Sequence, residues 1–266
     1  MIDHGKRNLL GVLVNAVDYE AAVDAIMAAA GEGRGFAVSA LAVHGVMTGV
    51  INPQHRYRLN SLDLVTPDGQ PVRWALNLLY KDKLADRVYG PTLTLKVMRA
   101  CEQERTPIYL YGTTNSLLAE LRKSLASRFP NLEIAGYEPS RFGPISKEDR
   151  AEIAFRIRAS GARITFVGIG CPRQEIWGYE FRDLLSMPIL AVGAAFPFIA
   201  GLVPQAPNWM QRRGLEWVFR LAAEPTRLWK RYMLLNPLYI AMVALQVCGK
   251  QFPHKGTLPN SGSVPG

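Results

Sequence analysis

Arg163-Ile164-Thr165-Phe166-Val167-Gly168-Ile169-Gly170-Cys171-Pro172-Arg173-Gln174-Glu175 is the stretch that decides the fold. Arg163 to Val167 is apolar and β-branched and reads as a strand. It meets Gly168-Ile169-Gly170, a turn, and the pattern from Arg173 to Leu185 reads as a helix. The same order recurs on both sides. Ile108 to Tyr111 runs into Gly112-Thr113-Thr114 and an amphipathic helix, Asn115 to Phe129. Leu132 to Ala135 is a strand, and Ser146, with Asp149 three residues on, caps a helix through Ala159. Ile189 to Val192 meets Gly193-Ala194-Ala195. Strand, glycine turn and helix in alternation predict an α/β fold: a Rossmann-like parallel sheet with helices on both faces.

Upstream, Leu9 to Val14 reads as an opening strand and Ala21 to Ala30 as a helix stopped by Gly31. Phe36 to Leu41 is a strand, His44 to Val50 a short helix, and His55 to Asn60 a further helical turn. Leu62 to Thr66 is a strand that ends in Thr66-Pro67-Asp68-Gly69. Asp-Gly after Pro is good turn chemistry. It also places one carboxylate where an α/β protein keeps its chemistry, so Asp68 is either a turn residue or an acid or base. Val72 to Tyr80 is helical, and Asp86 to Pro91 is a turn leading into a helix over Thr92 to Cys101.

After Gly201 the composition changes. Trp209, Trp217, Phe219 and Trp229 lie among Arg212, Arg213, Arg220, Arg227, Lys230 and Arg231, and only Glu216 and Glu224 oppose those cations. This reads either as a helix pair with a solvated basic face or as a surface for anionic lipid headgroups or diphosphate. An uncharged run of 17 residues, Tyr232 to Cys248, follows. It is at the lower limit for a spanning helix, and surface association is the favoured reading. Three parts are expected: a core over 1–202, a basic-aromatic helical appendage over 203–250, and a disordered Pro/Gly/Ser-rich tail over 251–266.

The formal net charge of +9 suits an anionic partner. No zinc finger, helix-turn-helix or aromatic RNA-binding strand is evident, and the charge gathers beside an apolar run, which favours a membrane over nucleic acid. The three cysteines are widely spaced and the four histidines scattered, so neither a disulfide framework nor a metal cluster is expected. No signal peptide is evident. No Asp-x-Asp occurs. The Gly168-Ile169-Gly170 turn has Arg173 in place of a third glycine, and no ribose-binding acid follows the next strand, which weakens a nicotinamide or flavin reading. The turn still allows backbone amides to approach a phosphate, with Pro172 near the helix start where a missing amide costs little. Gln174 and Glu175 suit sugar hydrogen bonds or ordinary capping. Arg87 suits a phosphate clamp or a surface position, and His44 a packed position or the site.

Four blocks taken together resemble the WecG/TagA/CpsF glycosyltransferases, family 26, over about residues 9–235. They are Thr66-Pro67-Asp68-Gly69; Arg87-Val88-Tyr89-Gly90; Gly168 to Glu175; and Ala206-Pro207-Asn208-Trp209 through Gly214-Leu215-Glu216-Trp217, Arg220-Leu221 and Glu224-Pro225. Within that family the chain looks most like the GumM-like enzymes of exopolysaccharide assembly, such as xanthan. The resemblance implies a metal-independent, inverting transferase with no cofactor. It would move a sugar, glucose in β-1,4 linkage as the first expectation, from a UDP-sugar to a polyprenyl-diphosphate-linked sugar. N-acetylmannosamine or its uronate, as in teichoic acid or surface-antigen assembly, is the alternative donor sugar. The enzyme would lie peripherally on the cytoplasmic face of the inner membrane, against an anionic surface, with room for a homo-oligomer.

The resemblance puts Asp68 as base, with Gln174 and Arg87 beside it. Ser39, His44, Gly90, Gly112, Gly168, Gly170, Pro172, Glu175, Arg227 and Arg231 would bind substrate, and no metal is held. Two departures stand out. The family often has Thr-x-Asn after the second strand, where this chain reads Ser39-Ala40-Leu41-Ala42-Val43-His44, without the asparagine. It often has Phe-Asp-Phe after the last strand, where this chain has Phe196-Pro197-Phe198. A non-acetamido sugar is consistent with the first change. The rival classes are a non-catalytic membrane-surface adaptor and a nicotinamide oxidoreductase.

Overall fold

A computed structural model describes residues 1–259 and 264–266, apart from the side chains of Arg227 and Arg231. In chain order the elements begin with β1 (Asp3–Leu9), β2 (Val12–Val17), α1 (Tyr19–Glu32), β3 (Phe36–Leu41), α2 (Val43–Ile51), α3 (Pro53–Ser61), β4 (Leu64–Pro67), α4 (Gln70–Tyr80) and α5 (Gly90–Glu104). They continue with β5 (Ile108–Tyr111), α6 (Asn115–Arg128), β6 (Ile134–Glu138), β7 (Pro144–Ile145), α7 (Lys147–Ala159), β8 (Ile164–Val167), α8 (Arg173–Leu185), β9 (Pro188–Ala191) and α9 (Ala195–Ile199). The C-terminal part holds α10 (Asn208–Arg212), α11 (Glu216–Ala223), α12 (Pro225–Val247) and β10 (Val264–Pro265).

Six strands form a parallel sheet in the order β4-β3-β9-β8-β5-β6. Alternation along each strand feeds two cores. In β8, Ile164 and Phe166 join Leu110, Leu118 and Leu190 on one face, against α1, α5, α6 and α9. Val167 faces the other way, toward Tyr111, Trp177 and Phe181, where Trp177 stacks on Phe181 with centroids 3.9 Å apart. Leu64 and Val65 of β4 divide between the two faces in the same manner. Side chains pointing to opposite sides of a doubly covered sheet explain why these strands read as unbroken apolar runs.

Three sequence expectations change. The opening strand is a hairpin: β1 and β2 pair antiparallel about Leu10-Gly11, both with positive φ (57° and 90°), a two-residue turn that matches strand twist. The polar residues Lys6, Arg7 and Asn8 conceal the first strand in the sequence. The uncharged run Tyr232 to Cys248 is not a separate segment; all but Cys248 lies within α12, which starts at Pro225 and carries Pro237 inside it. Tyr239 and Val243 of α12 are buried with Leu41, Val72 and Leu76, so the helix completes a core rather than hanging from it. Among the described residues no helix is long and apolar enough to cross a membrane. In the tail, expected to be disordered, the described residues are held by backbone contacts. Asn8 Nδ2 donates to Phe252 O at 2.8 Å, Thr257 N donates to Pro53 O at 3.1 Å, and β10 pairs with β7.

Candidate active site

The carboxyl ends of β3, β4, β5, β8 and β9 open onto one cavity of about 1030 Å³, lined on the far side by α11, α12 and the turn before α11. Crevices at this end of a parallel sheet are where such folds bind ligands. Among the helices that begin there are α6, capped by the Thr114 side chain, and α2, α4, α5 and α8. The N-caps of the last four are Ala42, Gly69, Tyr89 and Pro172, and none supplies a capping side chain. By contrast Asp18, Asn52 and Ser146 cap α1, α3 and α7 with side-chain oxygens. The N-termini of α2, α4 and α8, without capping side chains, turn the positive ends of their dipoles to the cavity, which suits an anionic ligand.

Asp68 follows β4 directly and lines this cavity. Its Oδ1 accepts from Gly90 N at 2.8 Å, so the carboxyl takes over the missing cap of α5. Removal from bulk water pushes its pKa up to about 6 and the negative charge of Glu216 adds to this, against Arg87, the Gly90 amide and Arg220, which lower it. That value leaves a carboxylate at neutral pH that still holds a proton well. A Cβ at Gly90 would make ordinary contact with Ala40 Cβ at 3.4 Å and Asp68 Oδ1 at 4.0 Å, so it is the backbone N–H rather than the lack of a side chain that Asp68 uses.

Arg87 is buried and engaged. Its Nη2 donates to Glu216 Oε2 at 2.6 Å and to Gln211 Oε1 at 3.1 Å, and the guanidinium lies 4.1 Å from the Tyr89 ring centroid. Tyr89 in turn donates its hydroxyl to Glu216 Oε1 at 3.0 Å. Both partners of Glu216 therefore come from the segment before α5, while Glu216 itself opens α11.

Gln174 lines the cavity but is pinned. Its Oε1 accepts from Gly170 N at 3.1 Å, and its Nε2 donates to Glu175 Oε1 at 2.9 Å and Ala191 O at 3.2 Å. Both amide donors are spent on the protein, so Gln174 ties the Gly168–Gly170 turn to the end of β9. Glu175 and Ser39 are fully buried beneath it, with Ser39 Oγ donating to Glu175 Oε1 at 2.9 Å. Burial raises the Glu175 pKa against the hydrogen bonds from Gln174, Ser39 and Cys171. Of the sequence candidates, Asp68, Arg87, Gln174, His44, Gly90, Gly168 and Gly170 meet at the cavity. Ser39, Gly112, Pro172 and Glu175 lie behind its wall instead. Gly112, at φ 107°, is the close-packed backing of the turn, where a Cβ would meet Ile169 Cγ2 at 2.7 Å. Arg227 and Arg231 fall within α12, and their side chains are outside the described residues.

Cavity-lining residues beyond the sequence candidates are Glu216, Trp217, Arg220, Tyr89 and Tyr239. Glu216 stood in the sequence as one of two acids among many cations and within the Gly214-Leu215-Glu216-Trp217 block, without a role of its own. That rare negative charge, in a basic stretch that folds back on Arg87, is the signal that could have marked it.

Two proteins of known activity resemble this chain. "N-acetylglucosaminyldiphosphoundecaprenol N-acetyl-beta-D-mannosaminyltransferase" of Bacillus spizizenii is 31% identical over 204 residues, 76% of each chain. The protein of the same name from Bacillus subtilis (strain 168) is 31% identical over 186 residues, 70% of each. Fold, cavity and relatives define a glycosyltransferase. The chain belongs to the glycosyl transferase WecG/TagA/CpsF family, whose family model matches residues 7–252. Neither relative's name carries the narrower likeness to exopolysaccharide enzymes.

Proposed function

We propose that the enzyme transfers N-acetylmannosamine from a UDP-sugar to N-acetylglucosamine on a polyprenyl diphosphate, at a membrane surface. The observation that carries this is Asp68: a carboxylate with its pKa lifted to about 6, directly after β4, in a cavity onto which several helix N-termini open. The relatives' names supply the two sugars and the lipid.

The chemistry is direct displacement at the anomeric carbon. The acceptor hydroxyl attacks, its oxygen–carbon bond forms as the bond to the UDP oxygen breaks, and Asp68 takes the hydroxyl proton. The configuration inverts. Negative charge grows on the leaving diphosphate, where the helix starts, the backbone of the Gly168–Gly170 turn and Arg220 stabilise it. Gln174 keeps that turn in place. The peripheral, membrane-facing position rests on the exposed Trp229, Leu234 and Ile240 of α12 beside Lys230.

Glucose is a second reading, because Ala40, Leu41 and Ala42 line the cavity where an asparagine is absent and leave no side-chain amide for an acetamido group there. Radiolabelled UDP-N-acetylmannosamine and UDP-glucose, each with a synthetic lipid-diphosphate N-acetylglucosamine acceptor, test the choice in EDTA. Labelled lipid from the first donor is expected. Product from glucose alone selects the second reading, and no product from either overturns both.

A further inference from the structure

Glu216 lies at one carboxylate's distance from two groups of the opposite part of the molecule. Its Oε2 takes the Arg87 guanidinium at 2.6 Å and its Oε1 takes the Tyr89 hydroxyl at 3.0 Å. The Arg87–Glu216 pair is nearly enclosed, with side-chain exposures of 8% and 13%, and such pairs constrain geometry more than surface pairs do. Asp68 lies beside the same guanidinium yet has no hydrogen bond to it; its bond goes to Gly90 N. The arginine thus faces two carboxylates and gives its hydrogen bond to the one on α11.

We propose that Glu216 is a positioning residue: by gripping Arg87 and Tyr89 it fastens α11 over the cavity and holds the Arg87 guanidinium off Asp68, which keeps Asp68 the stronger base. This inference rests on the reading of Asp68 as the base. The charged and titratable groups around Asp68 are Arg87 and Tyr89 from the segment before α5, Glu216 and Arg220 from α11, Tyr19 from α1, and His44, which lines the same cavity from α2. Glu216 acts in two ways that agree in sign. Its own charge opposes ionisation of Asp68, and its hold on Arg87 keeps that cation, the strongest influence favouring ionisation, from a direct hydrogen bond to Asp68. Without the Glu216 carboxylate, Arg87 is released to pair with Asp68, and a carboxylate so paired is a weaker base.

The test is Glu216→Gln, which keeps size and loses charge, with Glu216→Asp as the charge-retaining control. Carboxyl-carbon NMR on the free proteins follows Asp68 through its titration, and pH profiles of kcat/KM follow catalysis. In Glu216→Gln, Asp68 is expected to titrate lower by about 1 pH unit or more. The acid limb of kcat/KM moves down with it, kcat at pH 7.5 falls several-fold, and Glu216→Asp stays nearer the wild type in both. An unmoved Asp68 titration overturns the inference, as does a kcat/KM that falls equally at all pH values, the mark of a purely structural loss. Because the titration needs no transfer, a protein that transfers no sugar sinks the functional reading while leaving this one to be decided on its own.

Discussion

At the residue scale, the burial that suits Asp68 to the proposed role of base also makes it a burden on the fold. Its folded pKa of about 6 lies above the ordinary 3.8, so between those values the native chain holds a proton that the unfolded chain has released. The favourable contribution is complete below the ordinary value and is lost as pH rises through about 6. A shift of this size corresponds at most to roughly 3 kcal/mol, and the opening of Asp68 to the cavity reduces it to about 1 kcal/mol. Asp68→Asn is therefore expected to melt about 2–4 °C above the wild type at pH 7.5, with the gap closing near pH 4. Equal melting temperatures at pH 7.5 would remove the strained carboxylate from the account. Asp68 was legible in the sequence because a single acid ends a strand. Glu216 was not, because its partner Arg87 lies 129 positions earlier and nothing local ties them. Gln174 was legible as a site residue but not in its role, which depends on Gly170 and Ala191 arriving from separate turns.

At the element scale, the helix starts were readable in a way that boundaries were not. Ala42, Gly69, Tyr89 and Pro172 supply no capping side chain, and the first three line the cavity themselves. The hairpin of β1 and β2 was hidden because its first strand is polar and its turn, Leu10-Gly11, lacks the Asn-Gly or Asp-Gly signal. In α12 the apolar run conceals two uses. Tyr239 and Val243 are buried in the core, while Trp229, Leu234 and Ile240 are at least half exposed. Removing the whole appendage would uncover core residues, so the membrane contact is better tested by point changes. Trp229→Ser, Leu234→Ser and Ile240→Ser together should abolish co-sedimentation with phosphatidylglycerol vesicles and leave the melting temperature unchanged. Retained co-sedimentation would place the membrane contact elsewhere.

At the scale of the molecule, alternation in the sequence predicted the parallel sheet, and glycine turns predicted which edge carries the site. Strand order was beyond it, since β9, the last strand of the sheet in the chain, pairs between β3 and β8. That insertion brings the turns after β8 and β9 side by side at the cavity that Asp68 also lines, and Gln174 bridges them. Helices α11 and α12 then roof the same cavity, so sheet and roof meet at Asp68, Arg87 and Glu216. The central claim is that Asp68 takes the acceptor proton. It is tested most directly by kcat of Asp68→Asn with saturating donor and acceptor, with UDP affinity measured on the same preparation. The account predicts a fall in kcat of ~10²–10⁴ with UDP binding retained. A kcat close to that of the wild type would contradict it.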